Sequence, residues 1–494
     1  MSLNLITDPW IPVRCVDGSR RVIAPWQIAE AGVLRPDWPR PDLNIACLEL
    51  LVGLVYMADP PSGKSDWYRR ERPDPERLKA RLEPFAPAFF LMGDGPRFLQ
   101  DQEKLDASPN SVDMLFIDSA GGQTMRNNID VMVHRKRYDR LTFPEAAMAL
   151  YTLQDFAPSG GAGNRTSMRG GGPLVTILDP GKELWDLVWL NVPFGQPSEM
   201  KALPWMKPTR TSEKGQTVHP SDETKGFDVE AFFGMPRRLR LVGDDEGITG
   251  VIQKPYGTNY ALWQHPLSPY YRLKEGTDLL PRHPRAGRFG YRNWLGIIAQ
   301  EGDKSQRAKG LAQLALVVRE WQAEHRGTEA SVIVAGWAMN NMSPRDFIHS
   351  LQPMQHLSDT ALYRLSDFIE AAQMVTDMLN RALIPVLAAG EEREAQREEF
   401  YLKTEPAFHH CFYQIAEGED PADFWLSTMR RQALSQFDGL ALPGLAERTM
   451  QEMAKIAEAR KFLGMELYGY GKKAGPALFS KLKLPVPEKK RKAA

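Results

Sequence analysis

The segment Gly160 to Gly172 (GGAGNRTSMRGGG) is the stretch of this 494-residue chain whose composition most invites a chemical reading. Glycines let a backbone approach a ligand closely and present its amides as donors. Arg165 and Arg169 add positive charge to the same segment. A phosphate-cradling P-loop also needs a Gly-Lys-Ser/Thr run, and no lysine stands here. A dinucleotide fingerprint fails as well, because Thr166 occupies the third small position. A flexible connector fits the same composition. Elsewhere there is no H-E-x-x-H and no G-x-S-x-G. His409-His410-Cys411 resembles a metal site only on paper. Adjacent helical residues point ~100° apart, so they cannot chelate one ion from one face. Cys15, Cys47 and Cys411 are far apart and form no C-x-x-C, which argues against a closed structural zinc site and a disulfide framework. Acidic pairs such as Glu391-Glu392 and Glu398-Glu399 read as solvated helix faces. The chain is therefore expected to be no enzyme and to need no metal or cofactor.

Four stretches have the residue types that meet a nucleic-acid backbone. Met125 to Arg140 (MRNNIDVMVHRKRYDR) groups Arg126, Arg135, Lys136, Arg137 and Arg140 around Asn127 and Asn128. Arginine and lysine neutralise phosphates, and asparagine positions or reads polar groups. A solvated loop fits this stretch equally. The glycine-rich segment is the second. The third is Arg237-Arg238-Leu239-Arg240, followed by Lys254 next to Pro255. A lone lysine is ordinarily surface decoration. The fourth, Arg282 to Arg292 (RHPRAGRFGYR), interleaves arginine with aromatic residues, as stacking on bases requires, and is equally a surface loop. The 62 basic and 62 acidic residues cancel. A stand-alone, sequence-independent DNA binder carries a basic excess, so contact must come from local patches or be shared with partners.

These residues need elements to hold them. At ~150 residues per domain the length allows roughly three domain-equivalents, or one large and one small domain. Val16-Asp17-Gly18-Ser19 is a turn between strands near Val13 and Arg21 to Ile23. Asp42 to Ala58 reads as a buried helix; Glu49 interrupts its apolar run, which is too short to span a bilayer. Phe89 to Asp101 has apolar runs around Asp94-Gly95 and predicts a hairpin. A helix over Pro144 to Asp155 precedes the glycine-rich segment, and a strand over Leu174 to Leu178 follows it. Arg238 to Val242, Gly250 to Gln253 and Val332 to Ala335 are strand candidates, and Thr209 to Lys225 reads as a loop. Beyond Leu357 glycine becomes rare. Ser358 caps a helix whose stripe is Leu362, Leu365, Ile369, Ala372, Val375, Leu379 and Leu383. Helices over Glu391 to Glu417, Pro421 to Phe437 (with Asp420 as its cap) and Leu445 to Leu467 complete a four-helix bundle. The expected class is α+β: a mixed α/β domain over 1–356, the bundle over 357–487 and a basic tail at 488–494. Neither a signal peptide nor a membrane span is legible, so a cytoplasmic setting is expected.

Read in order, several segments resemble CasA, the large-subunit family of the type I-E CRISPR surveillance complex Cascade. They are NLITDPWIPV, FFLMGDGPRFLQD, APSGGAGNRTSMRGGGPLVT, FFGMPRRLRLV, ALWQHPLSPY and GWAMNNMS. The resemblance implies a non-catalytic subunit that recognises the protospacer-adjacent motif (PAM) in double-stranded target DNA. It also implies help in strand separation and R-loop formation, and support for recruiting a helicase-nuclease; the guide crRNA reads the remaining sequence. Its implied partners are other Cascade subunits, crRNA, target DNA and that nuclease, with no membrane. It places the family's glycine loop on Gly160, Gly161 and Gly163, with Asn164 and Arg165 beside it, and the family's minor-groove lysine on Lys254. It places the strand-separating wedge on Asn341, Met342 and Ser343, with Met342 where glutamine is usual. An apolar residue can also unstack a base step. The Arg126, Asn127, Asn128, Arg135, Lys136 and Arg137 segment falls on a loop that meets the crRNA 5′ handle and its holding subunit. Some relatives have a cysteine cluster before the lysine; Gly243 to Gly247 (GDDEG) stands there instead, so no zinc is expected. An architectural scaffold and a nucleotide-binding enzyme using the glycine loop are the alternative readings.

Overall fold

A computed structural model describes residues 3–119, 137–161, 163–222, 225–299, 312–324, 330–471 and 473–488. Arg126, Asn127, Asn128, Arg135 and Lys136 lie outside the described residues, as do residues 489–494 of the tail. The chain divides into two compact units, Met1–Gly287 with Leu314–Gln352 and Arg288–Gln313 with Pro353–Ala494.

The first unit is built around the helix Pro41–Ala58, nearly all of whose side chains are buried. This helix is long and apolar enough to cross a membrane by composition, yet 89% of its window is buried inside the protein. It packs on the helix Phe143–Phe156, the helix Leu184–Leu190 and the 3-10 turn Val229–Phe232. Gly53 permits that last contact, since a Cβ there would stand 2.7 Å from the Phe232 Cβ. Each fully buried large apolar side chain in this layer contributes roughly 1.5–3 kcal/mol to the unit's stability. The helix Phe143–Phe156 starts where Thr142 and Glu145 form a reciprocal capping box.

Small antiparallel sheets surround the helices. In one, Ile11–Cys15 lies between Arg20–Ile23 and Val33–Pro36. The expected turn at Val16 to Ser19 joins the first two, and Val13 faces Arg21 across them. In another, Arg238–Asp244 pairs along its length with Gly247–Lys254, setting Arg238 opposite Lys254. In a third, the long strands Ala330–Asn340 and Ser343–Met354 form a hairpin, and Val175–Asp179 adds to the first of them.

Phe89 to Asp101 is not a hairpin. Phe90 makes a single bridge with Asn4, and the Phe98 amide donates to the Phe90 carbonyl (2.9 Å). Phe89, Leu91, Phe98 and Leu99 are all buried. Its first residues pair instead with the N-terminal segment, the Leu5 amide donating to Phe89 (2.9 Å) and the Leu91 amide to Leu3 (3.0 Å), and its second half is held by core packing.

The second unit is helical. Asp359–Ala382, Glu391–Ala416, Ala422–Ala441 and Met450–Leu467 are its long helices, followed by the short Ala474–Lys481. Ser358 caps the first by accepting from the Ala361 amide (3.2 Å), and its stripe from Leu365 to Leu383 is buried. Asp420 does not act as a cap; it accepts from Arg364 (2.8 Å). A second capping box, Thr449 with Glu452, begins Met450–Leu467. Cys411 is buried, His409 stacks on Trp294 and His410 lies edge-on to Phe424, so the His-His-Cys run is packing.

Candidate nucleic-acid interface

The glycine-rich segment leaves the helix Phe143–Phe156 and enters the strand Val175–Asp179. Its base is closed by the Ser167 amide donating to Ala157 (2.9 Å) and the Gly172 amide donating to Phe156 (3.1 Å). Inside that base, the Asn164 amide donates to Gly161 (2.8 Å) and the Gly160 amide to Asn164 (3.3 Å). The described residues of the segment are therefore tied down by backbone hydrogen bonds, as a loose connector would not be. Gly160 and Gly161 are exposed, and Gly163, Asn164 and Arg165 are half-buried. Among the described residues, the Gly161 and Gly163 amides have no acceptor.

Arg169 is not a surface charge, as its place in the segment suggests. It is 1% exposed and reaches Glu49 (2.9 Å) on the central helix, Asp155 (2.6 Å) and Ser268 (2.9 Å). Burial pushes the Glu49 carboxyl well above its usual range, Arg169 only partly opposing it, and the neighbouring Asp155 adds to the rise. Burial raises the Asp155 carboxyl as well, with Arg169 opposing the rise, so the guanidinium is the counter-charge of both acids. Burial, then the guanidinium, hold His265 neutral by pushing its pKa well down. Glu49, Asp155 and His265 offer ligand atoms within 4.8 Å of one another. The guanidinium beside them sets a like charge against any metal ion there.

A second segment covers the loop from the side. Lys254 ends its strand half-buried, and its ammonium has no ion-pair partner among the described residues. Two residues on, the Tyr256 amide donates to the Gly163 carbonyl (2.8 Å). The Tyr256 ring lies so close that a Cβ on Gly163, whose φ is +79°, would stand 2.7 Å from it. Gln253 donates to the Asn164 side chain (2.7 Å). Arg165 donates from Nε to the Ser212 hydroxyl (2.8 Å), and that hydroxyl donates to Gly257 (2.7 Å). Tyr256 itself has φ +61°, a strained left-handed conformation for an aromatic residue.

The third part is the tip of the long hairpin. Asn341 (φ +48°) and Met342 (φ +62°) form its two-residue turn, with both residues left-handed as a type I′ turn requires. Asn341, Met342 and Ser343 are exposed. The Met342 sulfur nevertheless leans on the glycine segment: a Cβ on Gly171 would lie 2.9 Å from it and 2.9 Å from the Pro158 Cα. The Lys254 segment thus meets the Gly160 to Arg165 loop, and the hairpin tip meets the same glycine-rich segment at Gly171.

Arg237 supports this arrangement from beneath. Its backbone is fixed by reciprocal bonds to the Gln154 side chain (3.0 Å each). Its Nε donates to the Arg165 carbonyl (2.8 Å), and Nη2 donates to the Pro158 carbonyl. Burial pushes its pKa down to about 10, and no carboxylate opposes that shift. Arg237 stands in the third basic stretch read from the sequence, whereas Tyr256, Gln253 and Ser212 were not singled out there. Tyr256 and Gln253 flank Lys254-Pro255, and Ser212 lies in the Thr209 to Lys225 loop with no local signal.

Other basic residues are engaged internally. Arg137 makes a bidentate pair with Asp118 (2.7 and 2.9 Å), which also meets Arg40. Although burial opposes it, the two guanidiniums hold the Asp118 carboxyl below the usual range. Arg238 pairs with Asp101 (2.7 Å) and Glu103 (2.8 Å), and Arg240 donates to the Asp101 carbonyl (2.9 Å). In the helical unit Arg288 pairs with Glu405 and Arg292 with Glu398, while Tyr291 is buried against Phe408. The aromatic residues of that run, Phe289 and Tyr291, are buried, while Arg288 stays exposed beside its carboxylate partner.

A family model for the CRISPR-associated protein Cse1 matches residues 4–436. The fold is similar to the crystal structure of a CRISPR-associated protein from Thermus thermophilus. The TM-score is 0.73 at 19% identity, over 94% of this chain and 100% of that one. It is likewise similar to Thermobifida fusca Cse1, with a TM-score of 0.72, 18% identity and 98% of each chain covered. A chain in a structure described as a CRISPR RNA-guided surveillance complex aligns with a TM-score of 0.68 at 15% identity, over 94% of this chain and 99% of that one. With the family model spanning most of its length, this chain belongs to the CRISPR-associated Cse1 family, also named CasA.

Proposed function

We propose that this chain is the non-catalytic large subunit of a type I-E Cascade complex, and that it recognises the PAM in double-stranded target DNA. The observation that carries the reading is that two segments converge on the glycine-rich one: Lys254 with Tyr256 meets it at Gly163, and the Asn341–Met342 tip meets it at Gly171. A glycine loop can follow a groove closely, and a lysine free of ion pairs can reach acceptors on its floor. The minor groove presents a degenerate pattern, so such readers accept several related motifs. An exposed methionine at a hairpin tip suits insertion beside a base pair, which starts strand separation and R-loop formation. Near-neutral overall charge fits a subunit whose partners supply the rest of the phosphate-binding field.

On this reading the partners are the other Cascade subunits, the crRNA, target DNA and a helicase-nuclease that joins after the R-loop forms. Arg126, Asn127, Asn128, Arg135, Lys136 and Arg137 then belong to the loop that meets the crRNA handle. The test replaces Gly160 and Lys254 together in the reconstituted complex and follows PAM-dependent target binding by mobility shift. Weakened binding is expected. Binding that stays PAM-dependent and unchanged overturns the site.

A further inference from the structure

Arg237 is 7% exposed, and its Nη1 has no hydrogen-bond partner among the described residues. That atom lies directly under Gly160, where a Cβ would stand 2.7 Å from it. Any side chain at 160 would cover or displace the guanidinium, so the glycine leaves an opening onto a buried positive charge. The nearby acidic residues are turned elsewhere: Asp101, Glu103 and Glu213 face Arg238. Arg165, whose carbonyl accepts from Arg237, is bound through its side chain to the Ser212 hydroxyl and carbonyl and carries no carboxylate partner. Desolvation without a counter-charge also depresses the Arg237 pKa, as expected of a cation whose partner is missing.

An unpaired guanidinium held rigidly in low dielectric is costly in the free protein and attractive to an anion. Its Nε and Nη2 are committed to carbonyls, which fixes the plane of the group and aims Nη1 outward. The adjacent Gly161 and Gly163 amides are also without acceptors among the described residues, and unpaired amides of this kind form anion-binding concavities.

We propose that Arg237 contacts a backbone phosphodiester of the bound DNA, its Nη1 reaching the phosphate through the opening left by Gly160. This rests on the DNA-binding reading above. It adds a sequence-independent contact that sets affinity and register, distinct from the motif reading assigned to Lys254.

The test measures target DNA affinity of the reconstituted complex against salt concentration for wild type, Arg237→Gln and Lys254→Ala. Each phosphate neutralised adds ~0.9 to the salt slope. Arg237→Gln should lower that slope by about one and weaken PAM-bearing and PAM-less targets alike, by roughly tenfold. An assembled Arg237→Gln complex with the wild-type slope overturns the proposal. PAM preference that survives Lys254→Ala overturns the recognition reading instead, so the two failures are distinguishable. Should Arg237→Gln not assemble, methylphosphonate substitution along the target decides the matter. A single neutralised phosphate near the PAM should weaken the wild-type and Lys254→Ala complexes but not Gly160→Ala, whose methyl group blocks the opening. Equal sensitivity in all three overturns it. So does competition by inorganic phosphate beyond that of chloride at matched ionic strength, which marks a site for free anions.

Discussion

Arg169 and Arg237 stand at opposite ends of the same problem. Both are buried arginines that hold the glycine-rich segment, yet Arg169 sits between two carboxylates and Arg237 has none. Removing Arg169 strands Glu49 and Asp155 in the core. Arg169→Gln is expected to destabilise the protein by about 3–5 kcal/mol, read as a fall in thermal or denaturant midpoint. His265, whose ring lies beside Arg169, Glu49 and Asp155, gives a pH signature. Its folded pKa lies well below the unfolded 6.5. Below pH 6.5 the unfolded chain therefore binds the extra proton, and the stability His265 contributes is present above that value and lost as pH falls. The stability gap between wild type and His265→Asn should accordingly narrow between pH 7.5 and pH 5.5; a gap independent of pH contradicts this. None of it was legible in the sequence. Arg165 and Arg169 are four residues apart in a glycine-rich run, and only the packing of the central helix beneath decides which one is buried.

Elements were more legible than their assembly. The helix cap at Ser358 and the stripe from Leu365 to Leu383 follow from local chemistry and periodicity, and they fold as expected. The Arg238 and Gly250 strand candidates proved to be one hairpin, because Asp245-Glu246 supplies its turn. Phe89 to Asp101 carried the Asp94-Gly95 turn signal but is absorbed by the aromatic core around Trp205, where packing outweighs the turn. The long hairpin tip shows the reverse conflict. Asn341 suits a left-handed turn position, but Met342 does not, and a left-handed non-glycine residue costs roughly 1–2 kcal/mol. Met342→Gly should therefore raise stability by about 1 kcal/mol while slowing strand separation next to the PAM, followed with 2-aminopurine in the target. A variant that opens DNA at the wild-type rate removes Met342 from the wedge.

At the scale of the molecule, equal numbers of acidic and basic residues conceal a sorted arrangement. Arg137, Arg238, Arg288 and Arg292 are tied to carboxylates, whereas Arg165, Arg237 and Lys254 gather at one loop without any ion pair among the described residues. Composition shows the balance, and only the fold shows which charges are left over. The residue order that resembles CasA pointed to the loop and the lysine, and composition pointed to the stretch that holds Arg237; the structure adds Tyr256 and Ser212 and shows Arg237 lying beneath the loop. The most direct measurement is site-specific photo-crosslinking from a benzophenone side chain at position 342 or 254 in the complex bound to target DNA. The account predicts adducts on the PAM nucleotides from position 254 and on the first base pair beside the PAM from position 342. Adducts confined to crRNA, to other subunits or to DNA far from the PAM would contradict it.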